Sequence, residues 1–218
     1  MSARIHSQTI RKRPVKSPEG ASEPSARRFT VEEYYKMAEA GVLHEGEKVE
    51  LIEGEIIAMS PQGSKHASSA SRAAEWFFLN FAGRCCIRIQ APIHLDNLSE
   101  PEPDVVLAVT SEDYYSDQHP TPSEILMVLE VSYSTLDFDR NQKSRIYAQA
   151  GIRQYCLLNL QARELEDYRQ PSADGYRSKQ IYAENQSFNL VAFPKTSIKV
   201  NDLLPPIKRA NRMKTKSK

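Results

Sequence analysis

EPDVVLAV (residues 102–109) and EILMVLEVS (residues 124–132) are the two stretches on which the fold of this chain turns. Both are apolar almost throughout, the pattern of central strands in a sheet covered on two faces. Each opens on an acid, Glu102 or Glu124, and carries one further carboxylate set against its apolar run. Asp104 follows Pro103 and opens the first run, and Glu130 sits near the end of the second. The two acids can meet only if the strands run antiparallel or if a loop brings them together, and the polar connection 110–123 is long enough for either. A carboxylate within ILMVLEV points into a covered face, where an unpaired charge costs several kcal/mol. Glu130 therefore needs a cation, a metal or a solvent cleft. An ion pair with Arg140, Lys143 or Arg145 meets that need without any chemistry.

Downstream, Ser134 or Thr135 can cap a helix over 136–150, with Phe138, Ile146 and Ala150 among its apolar positions and Gly151 at its stop. A strand over 154–160 follows, and strand, helix, strand implies a right-handed crossover between parallel neighbours. Asp139, Lys143 and Tyr147 recur every four residues, so the spacing predicts one helix face on which Asp139 holds Lys143. Segments 163–169, 177–182 and 189–193 read as further strands, with residues 171–175 as a break, and 198–204 closes the fold. Upstream, Thr30 and Glu33 have capping-box spacing and predict a helix from there to about Ala40. KVELIEGEIIAM (48–59) predicts a hairpin around Glu53-Gly54. Ala70, Ala73, Ala74, Phe77, Phe78 and Phe81 predict a helix over 66–81. The loosely alternating 84–95 reads as a strand that Pro92 confines to an edge or bends.

The 218 residues are 40% hydrophobic and 26% charged, which suits a single domain, expected over 29–207. The net charge of +1 hides a division: residues 1–28 and 208–218 hold thirteen Lys or Arg against two acids, leaving about −10 between them. These two basic ends are expected to be disordered tails able to grip phosphates without sequence preference. The acidic interior suits a site that holds cations. Cys85, Cys86 and Cys156 lack the paired spacing of a zinc site and read as reduced core residues. Nothing in the chain has the apolar length of a membrane span or a signal peptide, so a cytoplasmic location and no membrane partner are expected.

Two carboxylates at strand ends with a lysine nearby are the parts of metal-dependent phosphodiester hydrolysis. There a divalent cation activates water and offsets phosphate charge, and a lysine stabilises the transition state. The element order over 66–160 resembles the α-β-β-β-α-β core of PD-(D/E)XK nucleases, a mixed α/β class whose central mixed sheet is flanked by helices. More narrowly, VELIEGEIIAMSP followed by His66, then EPDVVL, ILMVLEVSYST, Asp139, Lys143, Tyr147 and AGIRQYCLLNL, resemble the Uma-type family of restriction-endonuclease-like proteins over about 29–205. That resemblance implies Asp104 and Glu130 as metal ligands, with Glu50 as a third carboxylate or a partner to the ligands. It implies His66 as a phosphate contact. The superfamily's lysine two residues after the glutamate is replaced here by Ser132, and the Uma-type pattern supplies Lys143 from the following helix. The function implied is an Mg²⁺- or Mn²⁺-dependent endonuclease acting on DNA, with a homodimer as the expected assembly. The alternative is a catalytically silent module of the same fold that binds nucleic acid or a protein.

Overall fold

The computed structural model describes residues 26–207. The expected basic tails lie outside the described residues except for 26–28, where Arg28 already donates from Nη1 to the Glu53 carbonyl at 2.9 Å. Helix α1 (Val31–Glu39) starts at the anticipated capping box, with Thr30 and Glu33 exchanging side-chain and backbone bonds. Strands β1 (Val49–Ile52) and β2 (Glu55–Ala58) form the hairpin, turning on Glu53 and Gly54 at φ 51° and 79°. Both turn residues are left-handed, as a two-residue hairpin with native twist requires. Arg28 packs so closely over Gly54 that a Cβ there would lie 2.5 Å from its own.

Helix α2 (Ser64–Phe81) begins two residues earlier than expected. The six-stranded sheet consists of β3 (Cys86–Ile89), β4 (Val105–Ala108), β5 (Ile125–Ser132), β6 (Gln154–Asn159), β7 (Glu164–Ser172) and β8 (Gly175–Ala183), in that order. Every pairing is antiparallel except β5–β6. The crossover between the parallel pair carries the helical segment, as the strand–helix–strand pattern predicts. A small pair, β9 (Ser187–Asn189) with β10 (Ser197–Lys199), and a short helix close the chain.

Alternation along the central strands divides the core. Val105, Leu107, Met127, Leu129 and Val131 face Ala70, Ala73, Phe77 and Phe81 of α2. Val106, Val128, Tyr155 and Leu157 face Ile146, Tyr147 and Ile152 on the other side. Phe77 and Phe81 are fully buried, each contributing about 2–3 kcal/mol by removal from water. All three cysteines are free and buried. Among the described residues no helix is long and apolar enough to cross a membrane.

Four expectations are corrected. The strand over 189–193 lies instead at β9, Ser187–Asn189, and residues 190–193 are not part of a strand. The strand over 84–95 ends at Ile89, because Gln90 turns into the left-handed region at φ 45°. The break over 171–175 shrinks to residues 173–174: β7 runs on through Pro171, and the pairing with β8 skips Gln170, whose φ is 59°. The single helix over 136–150 is α3 (Leu136–Phe138), a π-helical turn (Asp139–Lys143) and α4 (Ser144–Gln149).

Candidate active site

The antiparallel β4–β5 pairing matches Val105 with Leu129, and one step further along the same register stand Asp104 and Glu130. The backbone ties the two acids together: Val131 N–H donates to Asp104 Oδ2 at 2.8 Å, and Asp104 N–H donates to Glu130 Oε2 at 3.3 Å. Gln90, where β3 has ended, adds a bond from Nε2 to Asp104 Oδ1 at 3.1 Å. From the first turn of α2, His66 brings Nε2 to 3.1 Å from Asp104 Oδ2. This hydrogen bond raises the His66 pKa despite partial burial, while its Nδ1 is buried with no hydrogen-bond partner among the described residues.

Glu130 projects onto the face covered by the crossover segment. Its Oε1 accepts from Lys143 Nζ at 3.0 Å and from Tyr147 Oη at 2.8 Å. Lys143 is 1% exposed and reaches Glu50 Oε2 on β1 at 2.6 Å, so one ammonium joins the hairpin, the crossover and β5. Of the three cations that could have satisfied Glu130, Lys143 does so. Arg140 pairs with Glu166, and Arg145 reaches Glu53 Oε1 from Nη1 at 2.7 Å.

The π-helical turn explains a further correction. Ser144 N–H reaches back to the Asp139 carbonyl, so the turn holds an extra residue and the four-residue spacing no longer stacks side chains one above another. Asp139 accepts from the Thr135 hydroxyl at 2.7 Å instead of holding Lys143, and among the described residues the two make no ion pair.

Glu50, Asp104, Glu130 and Asp139 are each 4–6% exposed, and Lys143 is the one buried Lys or Arg among the described residues. Negative charge is thus in excess. Burial, reinforced by Asp104, Asp139 and Glu50, pushes Glu130 up to about 8 in spite of the Lys143 ammonium. Burial also raises Asp139. Lys143 is raised as well, because Glu130 and Glu50 outweigh the burial that would lower it. All of these groups line one open cleft of 480 Å³, together with His66 and Glu102.

The five residues singled out from sequence, Glu50, His66, Asp104, Glu130 and Lys143, are therefore brought together. Sequence reasoning missed Gln90, a polar residue at a strand end with nothing to mark it. It also left Tyr147 without a role, although Tyr147 falls one helical turn beyond Lys143 and so could have been paired with Glu130.

The chain belongs to the family Uma2, described as "Putative restriction endonuclease", whose model matches residues 31–201. Among solved structures it is similar to a protein of Anabaena variabilis ATCC 29413 described as a putative nuclease belonging to DUF820. That likeness has a TM-score of 0.61 at 15% identity and covers 80% of this chain and 97% of the other, so it speaks for the fold alone. No functionally curated protein matches the sequence.

Proposed function

We propose that this protein is a metal-dependent nuclease that hydrolyses DNA phosphodiester bonds at the Asp104–Glu130 cleft. The observation that carries the reading is the excess of buried carboxylate there, four acids against one buried lysine. Together with membership of the family, it supports a site that completes itself with a cation. Among the described residues no three or more His, Cys, Asp or Glu side chains form a ready metal cage. Mg²⁺ needs none, because it takes one or two carboxylates and leaves its other positions to water and phosphate. Asp104 and Glu130 fit that demand with hard oxygen donors. When bound, such an ion supplies Lewis-acid charge to the scissile phosphate and lowers the pKa of the attacking water.

The chain's own groups have separable tasks. Val131 N–H and Gln90 fix the Asp104 carboxylate, and Tyr147 fixes that of Glu130. Lys143 offers a fixed ammonium beside the place where phosphate charge grows, with Glu50 keeping it charged. His66, a donor on Asp104 at the mouth of α2, is set to contact a phosphate oxygen. Mg²⁺ or Mn²⁺ as the ion and a homodimer as the assembly belong to the same proposal.

A second reading has its own observation: Lys143 already spans Glu50 and Glu130, which would also suit a silent module that binds nucleic acid or a protein. Incubating purified full-length protein with DNA in Mg²⁺, in Mn²⁺ and in EDTA separates the two. The nuclease reading expects products with a metal and none in EDTA. Intact substrate in every condition would leave the silent module.

A further inference from the structure

Beside the acidic cleft lies a second cavity of 820 Å³ that shares Ser64, Lys65 and Tyr133 with it and continues to Arg163 and Pro205. Its lining is far less acidic. The first cleft is lined by Glu47, Glu50, Glu102, Asp104, Glu130 and Asp139 against three lysines, whereas the second is lined by Lys65 and Arg163 with no carboxylate. Lys65 is exposed and makes no ion pair among the described residues. Its Nζ stands 3.1 Å from the Tyr133 hydroxyl and 4.9 Å from the ring centroid, so the ammonium sits toward the hydroxyl end of the ring. Gln161 holds the Tyr133 backbone by donating to its carbonyl at 2.5 Å. Tyr133 is 38% exposed and lies three residues after Glu130. Arg163 is anchored by Glu184 and by the Pro205 carbonyl, at 3.1 Å from its Nη1. Two residues further, Ile207 ends the described chain, and the sequence beyond it holds six Lys or Arg and no acid.

We propose that this groove is a subsite for single-stranded polynucleotide, in which Tyr133 stacks one base and Lys65 contacts a phosphate neighbouring the one in the acidic cleft. An exposed ammonium beside a fixed aromatic ring is chemistry by which unpaired strands are held, since every base has a π face to stack while a duplex hides its own. The groove also resolves an electrostatic difficulty. A cleft rich in carboxylates repels a polyanion until a cation fills it, and an exposed ammonium next to it can hold the strand meanwhile. The inference rests on the nuclease reading for the position of the scissile phosphate, but strand binding can be measured without turnover.

The test is fluorescence anisotropy of full-length protein with labelled single-stranded DNA, the matching RNA and the DNA duplex, all in EDTA. Single strands should bind more tightly than duplex, and the DNA and RNA arms identify which polynucleotide the groove accepts. Tyr133→Ala should weaken single-strand binding about tenfold or more, as loss of one stacked base does, while Tyr133→Phe keeps it. Lys65→Ala, at an exposed position, should weaken binding and flatten its salt dependence. Wild-type affinity in both Tyr133→Ala and Lys65→Ala, preference for duplex, or no strand binding at all would overturn the subsite. Strand binding that depends on Tyr133 without cleavage in any metal would remove the nuclease reading and leave the subsite. Cleavage indifferent to Tyr133 and Lys65 would do the reverse.

Discussion

Glu130 and Glu166 lie in one cross-strand row, Glu130 opposite Leu157 and Leu157 opposite Glu166, and so they face the same side of the sheet beneath the same crossover segment. Their surroundings differ in charge balance. Glu166 is fully buried but surrounded by donors: Arg140, Lys179 at 2.6 Å and the Tyr168 hydroxyl at 2.6 Å. These overcome the effect of burial and hold its pKa below the usual carboxylate value. Glu130 shares a single ammonium with Glu50 in the company of Asp104 and Asp139, and its pKa is raised. Burial of a carboxylate does not by itself mark a site. The balanced cluster is a strut between crossover and sheet, and the unbalanced one is where we propose that a cation supplies the missing positive charge.

The contrast breaks if the two acids respond alike to the same substitution. Glu130→Gln or Asp104→Asn should cut metal-dependent cleavage at least about a hundredfold, the scale of losing a preorganised group at a reacting centre, while Glu166→Gln leaves the turnover of folded protein intact. Initial rates on a labelled DNA substrate, with circular dichroism of each variant, measure this.

Stability should show the opposite order. Glu166→Gln leaves Arg140 and Lys179 without their carboxylate and should cost about 2 kcal/mol, lowering Tm by roughly 4–8 °C for a chain of this size. The effect has a pH signature. The folded-state pKa of Glu166 is depressed, so its contribution is present above the ordinary value of 4.5 and is lost as pH falls below it. Wild-type and Glu166→Gln melting curves should therefore converge as pH drops from 6 toward 3, and a constant gap would contradict the assignment. The smallest effect belongs to Tyr147→Phe, which removes one of two donors on Glu130 Oε1 and leaves Lys143 in place. About 1 kcal/mol of stability, read by chemical denaturation, is expected from it.

Much of this arrangement was legible in the chain. The near-continuous apolar runs around Asp104 and Glu130 required central strands, and a charge inside such a run required a partner. The Thr30–Glu33 box and the Glu53-Gly54 turn are local features that local sequence determines. What sequence left open was settled over distance. Three cations stood within reach of Glu130, and only the packing of the crossover segment assigns Lys143 to it, Arg140 to Glu166 and Arg145 to Glu53. The π-helical turn that separates Asp139 from Lys143 leaves no mark in a four-residue repeat. Gln90 joins the site through a left-handed backbone at a strand end, a tertiary choice with no signal in the side chain.

The central claim, that the Asp104–Glu130 cluster is short of positive charge and takes it from a divalent cation, is tested most directly by titrating full-length protein with Mn²⁺. The loss of the free-ion electron paramagnetic resonance signal reports uptake. Saturable binding by wild type and by Glu166→Gln, abolished in Asp104→Asn, is the predicted result. No Mn²⁺ uptake by wild type, or equal uptake by Asp104→Asn, would contradict the account.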